Sequence, residues 1–129
     1  MAIMHLKKWS VHYFKIEELD DPKSKYVVVL LERPTSFLGA FINSRLAAFL
    51  ERPKLAACSM MLAKDKHDFL THDSYFSVDN ENIIEYDLAR VSAATLVGNI
   101  HPDACEQIKE CVRRCPILRP GMMREILED

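Results

Sequence analysis

Glycine is scarce in this sequence of 129 residues, which has only Gly39, Gly98 and Gly121. No two of them lie close together, so neither a GxxxxGK[ST] phosphate loop nor a GxGxxG dinucleotide fingerprint can be written. Enzymes that hold nucleotide cofactors through those loops are therefore excluded. The sequence also has no nucleophile elbow, no H-E-x-x-H motif and no kinase signature, so a covalent hydrolase is not supported.

An excess of charge is missing as well, because 17 Lys and Arg residues face 19 Asp and Glu residues, for a formal net charge of -2. A histone-like binder needs a clear basic excess and is excluded, whereas a local basic groove remains compatible with this balance. The longest apolar stretches, residues 26–31 and 55–63, are too short to span a membrane. The N-terminal charge follows the apolar residues, the reverse of a signal peptide, so we expect a cytoplasmic protein.

The four cysteines lack the spacing of a structural zinc site. Cys105, Cys111 and Cys115 follow a C-x5-C-x3-C pattern without a C-x2-C knuckle, and Cys58 lies far from them in the chain. On a helix, Cys111 and Cys115 would lie one turn apart on an apolar face. We expect these cysteines to be buried free thiols that pack as small hydrophobic residues, with a metal or redox site as the alternative.

Strand patterns fill the first three quarters of the chain. Alternating or continuous apolar runs rich in β-branched and aromatic residues predict strands. They occupy residues 8–15, 26–31, 37–43, 74–78, 83–88 and 93–97. Gly39 is expected to form a bulge in its strand. Strong turn chemistry at residues 79–82 predicts that the strands on either side pair as a hairpin. Residues 44–51 fit a helical turn or two, which Pro53 would end.

The last quarter changes to a helical period. Pro102 suits the first position of a helix, which apolar residues follow at spacings of three and four up to Cys115. A second short amphipathic helix is predicted around Met122 and Ile126. Strands first and helices last predict one domain over residues 1–129, mainly β (α+β), with a curled antiparallel barrel over 1–100 and a helical segment over 101–129.

Three stretches of the chain resemble the PemK/MazF family of toxin-antitoxin ribonucleases. They are the valine-rich residues 26–31 with 41–44, the run 72–78 (HDSYFSV), and residues 96–100 followed by 102–112. The resemblance implies a small SH3-like barrel with a C-terminal helix. It also implies a homodimeric endoribonuclease, a hydrolase that binds and cleaves single-stranded RNA without metal, and an antitoxin-like protein as partner. The family's loop arginine has no counterpart in residues 17–25, and the Arg33–Pro34 dipeptide follows the valine-rich strand instead of preceding it.

Candidate site residues follow from what metal-free RNA cleavage requires, namely proton transfer and a cation for the phosphorane charge. By resemblance, Ser44 corresponds to a family hydroxyl that contacts the scissile region. Positive charge is available at Lys23, Lys25 and Arg45, and proton transfer at His72 or Asp73. No cofactor and no metal are expected, since His67 and His72 are five residues apart and lie in a loop and a strand. In the alternative interpretation Ser44 ends a strand, Asp73–Ser74 caps a turn and the lysines are solvated.

A second function class uses the same fold without catalysis. An SH3-like module of this kind would bind a protein partner, such as an antitoxin peptide, through an apolar surface. The pairs Met60–Met61 and Met122–Met123 would suit an adaptable surface of that type, although methionine more often fills a core.

Overall fold

The computed structural model describes residues 6–17, 22–43, 58–78, 83–91, 95–115 and 118–128. The strands are β1 (Ser10–Ile16), β2 (Lys23–Glu32), β3 (Ser36–Asn43), β4 (Ser59–Leu62), β5 (Ser74–Ser77), β6 (Ile83–Asp87) and β7 (Thr95–Asn99). The helices are α1 (Pro102–Arg114) and α2 (Pro120–Leu127), with 3-10 turns at Lys64–Lys66 and Leu88–Val91. The predicted class is confirmed: the protein is mainly β, a curled antiparallel half-barrel with helices at its C-terminal end.

The sheet is built around β2 and β3, which pair with each other. Its strand order is β4-β5-β3-β2-β1-β7, and β6 also pairs with β3. The valine-rich run of β2 is buried on both sides because its side chains alternate between two faces. Val28 and Leu30 lie on the helix face, packed in a cluster with α1 and α2, and Val27 and Val29 lie on the opposite face with Phe37 and other apolar residues.

The bulge predicted at Gly39 of β3 lies instead in the neighbouring strand, β2. Val29 pairs with Gly39 and Leu31 with Leu38, so the extra residue is Leu30 of β2. Glycine is required at position 39 for another reason, which is that neighbouring side chains lie very close to its Cα. A Cβ at Gly39 would lie 2.6 Å from Val27 Cγ1 and 3.2 Å from the Tyr86 ring, so any side chain there would overlap the opposite-face cluster.

The predicted hairpin between residues 74–78 and 83–88 is wrong. Both β5 and β6 pair antiparallel with β3, β5 at Ile42 and Asn43 and β6 from Ser36 to Ala40. The two strands therefore run in the same direction along one edge of β3. Each strand buries its apolar face by pairing with β3, and this burial outweighs the local turn signal of the sequence.

The C-terminal helices match the sequence pattern. In α1, Pro102 follows the N-cap His101, whose ring accepts a hydrogen bond from the backbone N–H of Asp103. The buried stripe of α1 consists of Ala104, Cys105, Ile108, Cys111 and Val112. Helix α2 buries Ile126, and Lys8 Nζ donates to the carbonyls of Ile126 and Glu128, 2.5 and 3.1 Å away. This lysine fixes the end of α2 against the start of β1. No helix in the described part of the chain is long and apolar enough to cross a membrane.

The expectation that all four cysteines are free thiols is half wrong. Cys58 and Cys115 form a disulfide with their Cα atoms 4.6 Å apart, whereas Cys105 and Cys111 are free and buried. The disulfide joins the residue before β4 to the residue after α1. Because the partners are separated by 57 positions in sequence, only the packing of α1 beside β4 brings them together.

Candidate nucleic-acid interface

One end of the sheet collects several of the residues singled out in the sequence. Strand β2 begins with Lys23 there, β3 ends with Asn43, and β5 begins just beyond Asp73. Asn43 lies directly opposite Tyr75, and Lys25 Nζ donates a hydrogen bond to Asn43 Oδ1 at 3.2 Å. We call Lys23, Lys25, Asn43 and Tyr75 the strand-end site. Lys23 and Lys25 alternate with the residues of β2 that face the helices, and Asn43 and Tyr75 lie directly opposite each other on β3 and β5. All four side chains therefore lie on the face of the sheet that is remote from the helices.

The strand-end site carries two positive charges, Lys23 and Lys25. Within the described residues, neither Lys23 nor Lys25 forms an ion pair with a carboxylate. Partial burial lowers the pKa of Lys25, and repulsion from Lys23 lowers it further. Lys25 Nζ also lies 5.9 Å from the centroid of the Phe41 ring, at a distance where a cation and a ring attract. An anion placed between the two lysines would relieve their repulsion.

His72 and Asp73 precede β5, at the same end of the sheet, and are held in a turn. Asp73 Oδ1 accepts a hydrogen bond from the backbone N–H of Lys64 at 2.9 Å. His72 Nδ1 lies 3.0 Å from the carbonyl oxygen of Asp73, and Ser74 Oγ donates to the His72 carbonyl at 3.1 Å. The Asp73 carboxylate therefore closes the loop that begins at Lys64, while the His72 ring is exposed.

The other two predicted site residues, Ser44 and Arg45, lie outside the described residues. Sequence reasoning did not select Asn43 or Tyr75 as site residues. A signal for both existed, because Asn43 is a polar residue that ends an apolar strand and Tyr75 stands in the alternating run 74–78.

His67 has a structural role. It is buried, and its Nδ1 donates to the Ala63 carbonyl at 2.8 Å while Nε2 accepts from the His101 N–H at 3.1 Å. Both ring nitrogens are thereby satisfied, and the ring links the loop after β4 to the N-terminus of α1. Among the residues that the structure describes, no group of three or more His, Cys, Asp or Glu side chains could hold a metal ion.

The Arg33–Pro34 dipeptide lies between β2 and β3, at the end of β2 remote from Lys23. Arg33 forms ion pairs with Glu85 at 2.8 Å and Glu125 at 3.2 Å. The Ser36 hydroxyl and then Arg33 lower the pKa of Glu85, and hydrogen bonds to both glutamates raise the pKa of Arg33. This arginine ties the turn to β6 and α2, away from the strand-end site.

A second surface feature is a groove of about 560 Å³ between β4 and α1. Met60 and Met61 lie on its strand side, and Met61 is 47% exposed. Cys111 and Arg114 lie on its helix side. Met122 and Met123 are instead half-buried against the helix-face cluster. Met60 packs against the same cluster, so of these four methionines only Met61 is largely exposed.

No family model matches the chain, and no curated protein matches it.

Proposed function

We propose that this protein is a PemK/MazF-like, RNA-binding toxin and that its strand-end site binds single-stranded RNA. The observation that carries the proposal is the hydrogen bond of Lys25 to Asn43, which lies directly opposite Tyr75. Cations, an aromatic ring and an amide on one face are the side chains that single-stranded RNA requires. The near-neutral net charge means that such a site acts as a local patch on a balanced surface.

Each residue of the strand-end site has a proposed role. Lys23 and Lys25 contact successive phosphates, which relieves their mutual repulsion. Tyr75 stacks on a base, and Asn43 offers its amide to a base edge. In this proposal the Lys25–Asn43 hydrogen bond holds both side chains in place before RNA arrives.

Cleavage is the second half of the proposal. His72 is the group for proton transfer, since its ring is exposed at the same end of the sheet, whereas Asp73 orients the loop that carries it. Ser44 and Arg45 follow Asn43 directly in sequence and are proposed to contact the scissile phosphate and to neutralise its charge. Chemistry of this kind needs neither metal nor cofactor.

RNA binding is tested with a fluorescent single-stranded RNA at several salt concentrations. Lys25→Ala should reduce the slope of log affinity against log salt by about 0.7, the contribution of one phosphate contact on a single strand. Tyr75→Ala should lose about 1–3 kcal/mol of binding, and Tyr75→Phe should retain it because the stacking ring remains. Lys15→Ala is the matched control, because Lys15 is exposed on the other face and pairs with Glu17. No binding at low salt would refute the RNA proposal.

Cleavage is tested by incubating the protein with a long RNA in EDTA and mapping the cut sites. Loss of specific cuts in Ser44→Ala and His72→Ala, with binding retained, supports the assignment of cleavage. RNA that is bound but remains intact would remove the catalytic half of the proposal and leave binding.

The alternative proposal is a non-catalytic protein-interaction module, favoured by the groove with exposed Met61. In that case an antitoxin-like peptide would occupy the groove, and Gln107→Trp on the helix side of the groove would obstruct its binding without affecting RNA. The homodimer and the cytoplasmic location also belong to the proposal. Gel filtration tests whether the protein is a homodimer. Rapid acid quenching of cells followed by thiol labelling tests the second, since Cys58 and Cys115 would be reduced in a cytoplasm.

A further inference from the structure

Three cysteines meet where the end of α1 packs beside the start of β4. Cys58 and Cys115 form the disulfide, and Cys111 lies one helical turn before Cys115, whose backbone N–H donates to the Cys111 carbonyl at 3.0 Å. Cys111 Sγ also donates to the Ser59 carbonyl at 3.7 Å, and Ser59 directly follows Cys58. Cys111 is therefore hydrogen-bonded through its backbone to one disulfide residue and through its thiol to the residue that follows the other.

We propose that Cys58, Cys111 and Cys115 form a thiol–disulfide exchange site, in which the bond moves between Cys58–Cys115 and Cys58–Cys111. Residues four apart on a helix have Cβ atoms about 5–6 Å apart, so one strand residue can reach either partner with small adjustments of side chains and backbone. The proposal is independent of RNA binding, because none of the three residues belongs to the strand-end site.

The exchange balances without any added oxidant or reductant. Cys111 loses its proton to water, and its thiolate attacks Cys58 Sγ. The new Cys58–Cys111 bond forms as the Cys58–Cys115 bond breaks. Both electrons of the broken bond leave on Cys115 Sγ, which takes up a proton. The strand–helix link then moves back by one turn, about 6 Å along α1.

The surroundings of the Cys111 thiol determine how fast the exchange is expected to be. Burial raises the pKa of the Cys111 thiol, and Arg114, whose Nη2 lies 3.3 Å from Sγ, opposes this by stabilising the thiolate. The attacking species is the thiolate, so the exchange should accelerate about tenfold per pH unit while the pH is below the pKa of the thiol. Cys111 lies in the wall of the groove between β4 and α1 and is itself buried.

The site is tested by locating the free thiol in the full chain. The oxidised protein is incubated without reductant at about pH 7 and about pH 9, quenched in acid, and digested with an acid protease. Tandem mass spectrometry after alkylation shows which sulfur carries the alkyl group. The proposal requires the label to appear on Cys115 as well as on Cys111, and sooner at the higher pH. Label on Cys111 but never on Cys115, at any pH or time, overturns it.

Matched variants separate this exchange from general scrambling. Cys105→Ser should leave the transfer unchanged, because Cys105 Sγ donates to the Ile100 carbonyl in another part of the core. Cys111→Ser should abolish it. In Cys115→Ser, mild oxidation should close Cys58–Cys111 within one chain and remove two thiols. If this variant is folded and retains both thiols, the proposal is wrong; if it does not fold, the mapping in the unmodified chain decides.

Discussion

The disulfide between Cys58 and Cys115 should supply a large part of the stability of this protein. It closes a loop across 57 residues, and the chain-entropy expression for a loop of that length gives about 4 kcal/mol at 25 °C. Domains of this size unfold at a cost of about 5–15 kcal/mol. The double variant Cys58→Ala/Cys115→Ala should therefore lose a quarter or more of its free energy of unfolding.

Urea denaturation followed by circular dichroism measures this loss. Cys105→Ala is the matched control, since it removes one buried sulfur without removing a cross-link and so reports the packing contribution alone. Dithiothreitol provides a second control: it should destabilise the unmodified protein by a similar amount and leave the double variant unchanged.

Two results would contradict the predicted loss of stability. If the double variant loses less than about 1 kcal/mol beyond the packing control, or if dithiothreitol has no effect on the unmodified protein, the cross-link does not constrain the unfolded chain as the loop length implies.

Three further predictions concern other parts of the fold. Gly39→Ala should cost about 1–3 kcal/mol in urea denaturation, because the new Cβ meets Val27 Cγ1 at 2.6 Å; unchanged stability would contradict this close approach. Burial lowers the pKa of His12 below its usual 6.5, so the unfolded chain binds more protons and stability should fall as the pH drops through 6.5 toward the lower folded-state value. In His12→Gln that part of the pH dependence should disappear, and parallel curves for the two proteins would refute the assignment. Burial raises the pKa of Cys105 to about 11, so iodoacetamide at about pH 8 should label it only after unfolding, and rapid labelling of the native protein would refute its burial.

Most secondary structure could be predicted from the sequence because its signals are local. The valine run of β2 and the three-and-four spacing of α1 each lie within one element, and the structure contains both. The hairpin prediction failed for the opposite reason. Turn residues at 79–82 indicate where the chain leaves a strand, but strand pairing depends on which apolar face is available, and here both strands pair with β3.

The residues of the candidate site also divide into those that the sequence predicted and those that it did not. Lys23, Lys25, His72 and Asp73 were predicted by residue type and resemblance, and strand register brings them to one end of the sheet. Asn43 was missed because its contact with Lys25 exists only once β2 and β3 pair.

The sequence by itself determined the order of strands and helices, the balance of charge, and the absence of glycine-rich nucleotide loops. These properties depend on residues close to one another in the chain. Tertiary structure alone decided that Cys58 bonds to Cys115 and that Arg33 forms ion pairs with Glu85 and Glu125. It also decided that position 39 must be glycine, because Val27 packs closely against it. Each of these rests on atoms that come into contact only after the sheet curls and α1 packs beside β4, and no local pattern encodes such distances.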